Sequence, residues 1–329
     1  MISHRGWHWL VMVAILITVC IVAVASGAIA IPARDVISAI AGTGEPSVVS
    51  IVRELRMPRV ALAVFVGAGL GMSGGALQGT LRNGLAEPYL LGVSGGAAVG
   101  AVIAFATGAV GEGIVAVAAF GGAAAAVVMA LLVARAAGGG GRGDPRTLLM
   151  AGVVIGAFAN AVIMIALANA PPNTIRGALW WMMGSVADST WRGVGWLTAY
   201  VLAGGLALVF WAREIDILAL GEEPAAALGV DVENAARRIY LLSALLAAAT
   251  VAAAGLIGFV GLIVPHIVRA AGIRHHRPLL VASALVGATL VVGADLVART
   301  IRPPGELPLG AVTALLGVPF FLAQLRRAT

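Results

Sequence analysis

Gly92-Val93-Ser94-Gly95 sets a serine among glycines, a G-x-S-G form in which the hydroxyl could act as a nucleophile within a membrane. Such a serine needs a base within hydrogen-bond reach. His266, in Val264-Pro265-His266-Ile267, stands away from the chain ends and from charged loops, so an intramembrane serine protease using Ser94 and His266 is one reading of the sequence. The competing reading is plainer. In a chain with 44 glycines a G-x-S-G string has little specificity. His266 also follows a proline that removes a helix hydrogen bond, so it caps the break or bonds the freed carbonyl.

Missing residues narrow the chemistry further. All 21 basic residues are arginine. Without lysine there is no P-loop amine for phosphates and no Schiff base, so ATP and Mg2+, if used at all, belong to another subunit. A single cysteine, Cys20, lies in the first apolar stretch and reads as a small core hydrophobe rather than part of a disulfide or metal cluster. We expect no catalytic residue, bound metal or cofactor in this chain. Asp295 and Arg299 stand one helical turn apart, a spacing for an ion pair at the membrane boundary. No acidic residue falls near the middle of an apolar span, which argues against ion-coupled transport.

Glycines recur every four residues at Gly67, Gly71, Gly75 and Gly79, and again at Gly92, Gly96 and Gly100. That spacing places each set on one helix face, where a second helix can approach closely. Pro171-Pro172 precedes Trp180-Trp181-Met182-Met183, an apolar cluster fit for a membrane-belt anchor or for a short helix offering aromatic and thioether surface to a large ligand. Between Ala212 and Arg238 runs the longest polar interruption of the second half. Within it, Gly221-Glu222-Glu223-Pro224 opens an alanine-rich turn through Ala225 and Leu228 that closes at Gly229 and Val230. Acidic residues at the start and glycine at the end define a short helix, either a solvated loop element or a docking lever.

The elements that must carry these residues are set by composition. Sixty per cent of the 329 residues are hydrophobic, 11% are charged, and the mean hydropathy is +1.02. No water-soluble core hides so much apolar surface. At about 20 residues per crossing, the chain is an all-α polytopic membrane protein, one domain over residues 1–329 with about ten helices in a single bundle. The spans are expected near 9–31, 60–80, 91–108, 113–134, 147–169, 193–211, 238–254, 257–269, 279–298 and 308–324, and the first is read as a span rather than a cleaved signal. The eighth is too short to cross upright, so it must tilt, begin in an unwound segment or stop short. Counting arginines with both termini cytoplasmic puts thirteen inside and eight outside, four of the latter (Arg34, Arg53, Arg56, Arg59) crowded before the second span. Net charge is +6, but the arginines are scattered among the spans, so lipid rather than nucleic acid surrounds this chain.

Nine strings in order resemble the FecCD family of ATP-binding-cassette (ABC) permeases. They are Leu55-Arg56-Met57-Pro58-Arg59, Gly74-Gly75-Ala76-Leu77-Gln78-Gly79, Arg82-Asn83-Gly84-Leu85-Ala86-Glu87-Pro88, and Leu91-Gly92-Val93-Ser94-Gly95-Gly96-Ala97. Trp181-Met182-Met183-Gly184-Ser185, Ala227-Leu228-Gly229-Val230, Gly258 through Arg269, Ala294 through Arg299, and Glu306-Leu307-Pro308-Leu309-Gly310 complete the set. The resemblance implies a type II importer permease in the cytoplasmic membrane, paired with a second copy of itself, two cytoplasmic ABC ATPases and an external or periplasmic substrate-binding protein. It implies docking of that protein at Arg56, Arg59 and Arg299, and coupling to the ATPase through Gly221 to Val230 within a segment near 212–238. A gate is implied at Asp144, Pro145 and Arg146, with a pathway lined from the fifth and tenth spans and the tryptophan cluster, including Asn160, Met164, Trp180 and Met183. The implied cargo is an iron chelate (a siderophore) or cobalamin, with haem as the alternative.

Overall fold

The computed structural model describes residues 4–27, 29–109, 113–137 and 145–328, and for residues 4, 5, 90, 137, 145, 146 and 323–328 the backbone alone. Among the described residues, seven helices are long and apolar enough to cross a membrane, and Val93–Ala106, Val260–Ala270 and Leu309–Leu322 are shorter apolar helices. Together they are the ten expected elements in the expected order. In chain order the helices are α1 (His4–Ala25), α2 (Ala33–Ala41), α3 (Pro46–Ser50), α4 (Met57–Thr80), α5 (Val93–Ala106), α6 (Ile114–Ala137), α7 (Pro145–Ala168), α8 (Pro172–Met182) and α9 (Trp191–Phe210). The remainder are α10 (Ala212–Leu218), α11 (Glu222–Ala227), α12 (Val232–Ala254), α13 (Val260–Ala270), α14 (His276–Thr300) and α15 (Leu309–Ala328).

The axis of the bundle is α4, with α9, α12, α13 and α14 packed around it; α5, α6 and α7 form a second group that joins through α12. Through α3 and a π-helical stretch at Ile51–Arg56, α4 extends into one continuous 35-residue helix, Pro46–Thr80. At 1.5 Å per residue it is about 50 Å long, well beyond a hydrocarbon core of about 30 Å, so its first turns project from the bundle. That projection, and α2 before it, lie between the first two expected spans, in the stretch where four arginines crowd before the second.

Both glycine series make close contacts. A β-carbon at Gly67 would strike the backbone of Gly287, one at Gly71 the carbonyl of Ser283, and one at Gly79 the ring of His276; at Gly75 it would press on the Leu279 side chain. All four contacts fall on α14. Gly96 and Gly100 meet the α6 backbone at Gly122 and Ala118, and Gly92 faces α7 at Gly152. With lipid tails as apolar as the side chains, such backbone approach is what holds two helices together.

Two non-helical stretches meet inside the bundle. Residues 81–92 return from the end of α4 through a 3-10 turn at Pro88–Leu91, and residues 255–259 descend from the end of α12. The Tyr89 hydroxyl accepts the Ile257 N–H at 2.6 Å and the Glu87 carboxylate accepts the Phe259 N–H at 2.6 Å. Irregular backbone at membrane depth survives when protein groups satisfy it in this way. Phe259 itself sits at φ 69°, a left-handed turn that starts α13 beside the middle of α4, where Gly261 packs on Leu70 and Pro88. The short eighth span is therefore one that begins in an unwound segment. Pro265 leaves the Gly261 carbonyl without its helical donor. Gln78 supplies the replacement, its Nε2 donating to Gly261 and Leu262 at 3.2 Å each, while His266 bonds Leu262 at 2.9 Å.

Candidate functional site

The features with functional content lie at the two ends of the bundle and on the surface between them. The proximal end carries the start of α1 and the end of α15; the distal end carries the C-terminus of α1 and the start of α15.

At the distal end Arg56, Arg59 and Arg299 come together. Arg59 is clamped by two carboxylates: its Nη1 and Nη2 donate to Glu306 at 2.7 and 2.8 Å, and its Nη2 and Nε donate to Asp295 at 2.8 and 3.0 Å. The expected Asp295–Arg299 ion pair is present at 3.2 Å. Arg299 also donates to the Ser26 and Ala23 carbonyls, and Arg56 to those of Val24, Ala25 and Ile29. Cationic side chains on the open carbonyls of a helix end satisfy its orphan acceptors and its dipole. Two of the arginines that crowd before the second span, Arg56 and Arg59, thus have internal partners: Arg56 caps α1, and Arg59 ties α4 to α14 and the loop before α15. Arg56 and Arg299 are 6% and 5% exposed. Glu306 keeps a third of its side chain open to solvent, and the Arg59 guanidinium holds its carboxyl below the usual glutamate range. The other two arginines before the second span, Arg34 and Arg53, are exposed.

At the proximal end the short helix read from Gly221 to Val230 is α11. Glu222 and Glu223 occupy its first turn, Gly221 and Gly229 take φ 118° and 80°, and the Val230 N–H closes on the Ala225 carbonyl. Ala225 is fully buried, whereas Leu220 and Leu228 are 63% and 61% exposed. Glu222 reaches Arg82 at 3.3 Å, tying α11 to the loop after α4. In α10, Glu214 pairs with Arg238 at 2.6 Å, and Arg238 lies over the Trp211 ring at 4.7 Å. Asp216 accepts both the backbone N–H of His276 at 3.0 Å and its Nδ1 at 2.7 Å, capping α14, and the His276 ring abuts Gly79 of α4. The polar segment therefore connects rigidly to the two central helices.

Between the ends, α7 exposes Met150, Val153, Val154, Phe158, Met164 and Ile165, with Asn160 exposed among them. Trp180 and Met183 are likewise 52% and 39% exposed, on and just after α8. Pro145 and Arg146 begin α7, and Asp144 lies outside the described residues. Ser94 and His266 do not form a dyad: the Ser94 hydroxyl donates to the Tyr89 carbonyl at 3.3 Å, and His266 is held by Leu262.

Sequence reasoning missed three groups. Glu87 sits in a polar string between spans, yet its loop folds back and delivers the carboxylate inside the bundle. Gln78 gave no signal beyond being an amide in an apolar run, and that incongruity was the available clue. The Asp216–His276 link joins residues 60 positions apart, so spacing could not reveal it.

The FecCD transport family profile matches residues 15–327. A cobalamin import system permease protein, BtuC, from Halobacterium salinarum is 42% identical over 276 residues, covering 84% of this chain and 73% of its own. The hemin transport system permease protein HmuU of Yersinia pestis is 38% identical, covering 82% and 80%. Among solved structures, an inward-facing conformation of a metal-chelate type ABC transporter superimposes with a TM-score of 0.85 at 27% identity, covering 96% of this chain and 97% of that one.

Proposed function

The chain belongs to the FecCD transport family as a permease, and we propose on that footing that it carries cobalamin or an iron chelate into the cell. It is a multi-pass membrane protein and the transport component, not the ATPase, of its complex. The observation that carries the coupling assignment is α11. A six-residue helix flanked by two exposed leucines at the polar proximal end, tied by an ion pair to the loop after α4 and following an α10 that pairs with α12 and α14, has the make-up of a lever that a soluble ATPase can hold. ATP and Mg2+ bind to that partner; this chain has no lysine for the phosphates.

In this reading the proximal end is cytoplasmic, and two copies of the chain face each other across a central pathway. The exposed faces of α7 and α15 and the Trp180–Met183 segment line it. ATP drives transport by favouring one of two access states, since a ligand shifts an equilibrium only by its differential affinity. An external binding protein docks over Arg56, Arg59 and Arg299. Because these arginines are already paired, its acidic residues would compete with Glu306 for Arg59, so docking and the internal clamp are alternatives at one guanidinium. The scarcity of charge on the lining favours a bulky chelate passed along weakly. Identity with the cobalamin permease supports cobalamin first, and likeness to the hemin permease keeps haem as the second reading. Binding of cobalamin, a ferric siderophore and haem to the cognate external protein separates these cargoes. Saturable binding of haem alone would reverse the order.

A further inference from the structure

We propose that the proximal cleft between the start of α1 and the α13–α14 loop is a binding site for the phosphate headgroup of an anionic phospholipid. The cleft is a cavity of about 440 Å3, walled by His8 and Trp9 on one side and by Ala271 to His275 with Pro278 on the other. Its charge is of one sign. His8, Arg274 and His275 line it, exposed Arg277 adjoins it, and no carboxylate is among its walls. Asp216 stands nearest, 4.0 Å from the His275 ring, and its other oxygen is already taken by His276. Arg274 makes no ion pair or side-chain hydrogen bond among the described residues, so its guanidinium is available to an incoming anion.

Part of the cleft wall is apolar: its Trp9 and Ile273 pack, with Met12, on Val268, Leu279 and Ala282 behind them. The outer face of α1 is apolar as well, with Trp7, Leu10, Val13 and Ile17 exposed along its length. A phosphate held by Arg274 would therefore have its acyl chains on a hydrocarbon surface, beside tryptophans of the type that mark the headgroup level. Basic pockets between helices at this depth suit lipid headgroups, each cation near the surface contributing about 1 kcal/mol. A free phosphate ion would use the basic wall and leave the apolar one without an occupant. This inference requires that the chain cross a membrane and is independent of the cargo.

The test is native mass spectrometry of the full-length delipidated permease titrated with phosphatidylglycerol, phosphatidylcholine and inorganic phosphate. Phosphatidylglycerol should bind at least tenfold more tightly than phosphatidylcholine, and Arg274→Gln should weaken it roughly fivefold, the equivalent of one surface cation. Arg274→Lys should retain binding, and Arg237→Gln, a partly buried arginine elsewhere on the same end, should leave it unchanged. Equal binding of the two lipids overturns the proposal, as does loss in the lysine variant or equal loss in the Arg237 control. Complete displacement of the lipid by millimolar phosphate would show a free-anion site instead, and so would also overturn it.

Discussion

Asp295 is 2% exposed and stands between Arg59, which also pairs with Glu306, and Arg299, which pairs with no other carboxylate among the described residues. Removing one partner of a buried ion pair leaves a charge stranded, at about 3–5 kcal/mol. Asp295→Asn should therefore lower the thermal midpoint far more than Glu306→Gln, whose glutamate is one-third open to water. The Glu306 carboxyl is more acidic in the fold than in the unfolded chain, so the unfolded state binds its proton first as pH falls. Its stabilisation is fully present above the ordinary glutamate pKa and fades as pH drops through the lowered one. Melting curves between neutral pH and pH 3 should show this loss in the parent and a shallower one in Glu306→Gln; parallel curves would contradict the clamp. Gln78→Leu removes the donor that replaces the helical bond lost at Pro265, and should cost about 1–3 kcal/mol for the stranded carbonyl. Of these roles the sequence disclosed one, the Asp295–Arg299 pair, because it lies within a single helix. The Arg59 clamp and the Gln78 bridge join residues more than 180 positions apart. No local spacing encodes such pairs.

For the helices, legibility followed apolar length. Ten spans could be drawn because hydrocarbon demands uninterrupted apolar runs, and their ends differ from the observed helices by a few residues at most sites. The segment before the second span was opaque for the converse reason: its arginines broke the apolar run, although the chain stays helical from Pro46 onward and uses one of those arginines, Arg56, to cap α1. Four-residue glycine spacing correctly marked packing faces. It did not name the partner, which is α14 for the first series and α6 for most of the second. The two kinds of glycine should respond oppositely to substitution. Gly67→Val drives a branched side chain into the α14 backbone and should prevent recovery of folded protein, whereas Gly195→Ala in α9 meets nothing within 4 Å and should gain up to about 1 kcal/mol from helix propensity. Size-exclusion yield and melting temperature measure both, and a well-folded Gly67→Val chain would refute the close α4–α14 contact.

In the whole molecule, the central helices connect the two ends. Asp216 and His276 link the polar α10–α11 segment to α14 and α4, and α14 in turn holds Asp295 and Arg299 at the far end. In the proposed assembly, a displacement of α11 by an ATPase would have a continuous packed route through the bundle. Orientation of the termini follows the arginine excess and belongs to the proposed assembly, as does the pairing of two chains. The measurement closest to the central claim is cobalamin uptake into proteoliposomes holding the permease, its ATPase and a loaded external binding protein. The account predicts ATP-dependent accumulation in the parent and loss of at least tenfold in Leu228→Glu, with the permease still folded but no longer retaining the ATPase on co-purification. Undiminished uptake and ATPase retention in Leu228→Glu, or accumulation without ATP, would contradict it.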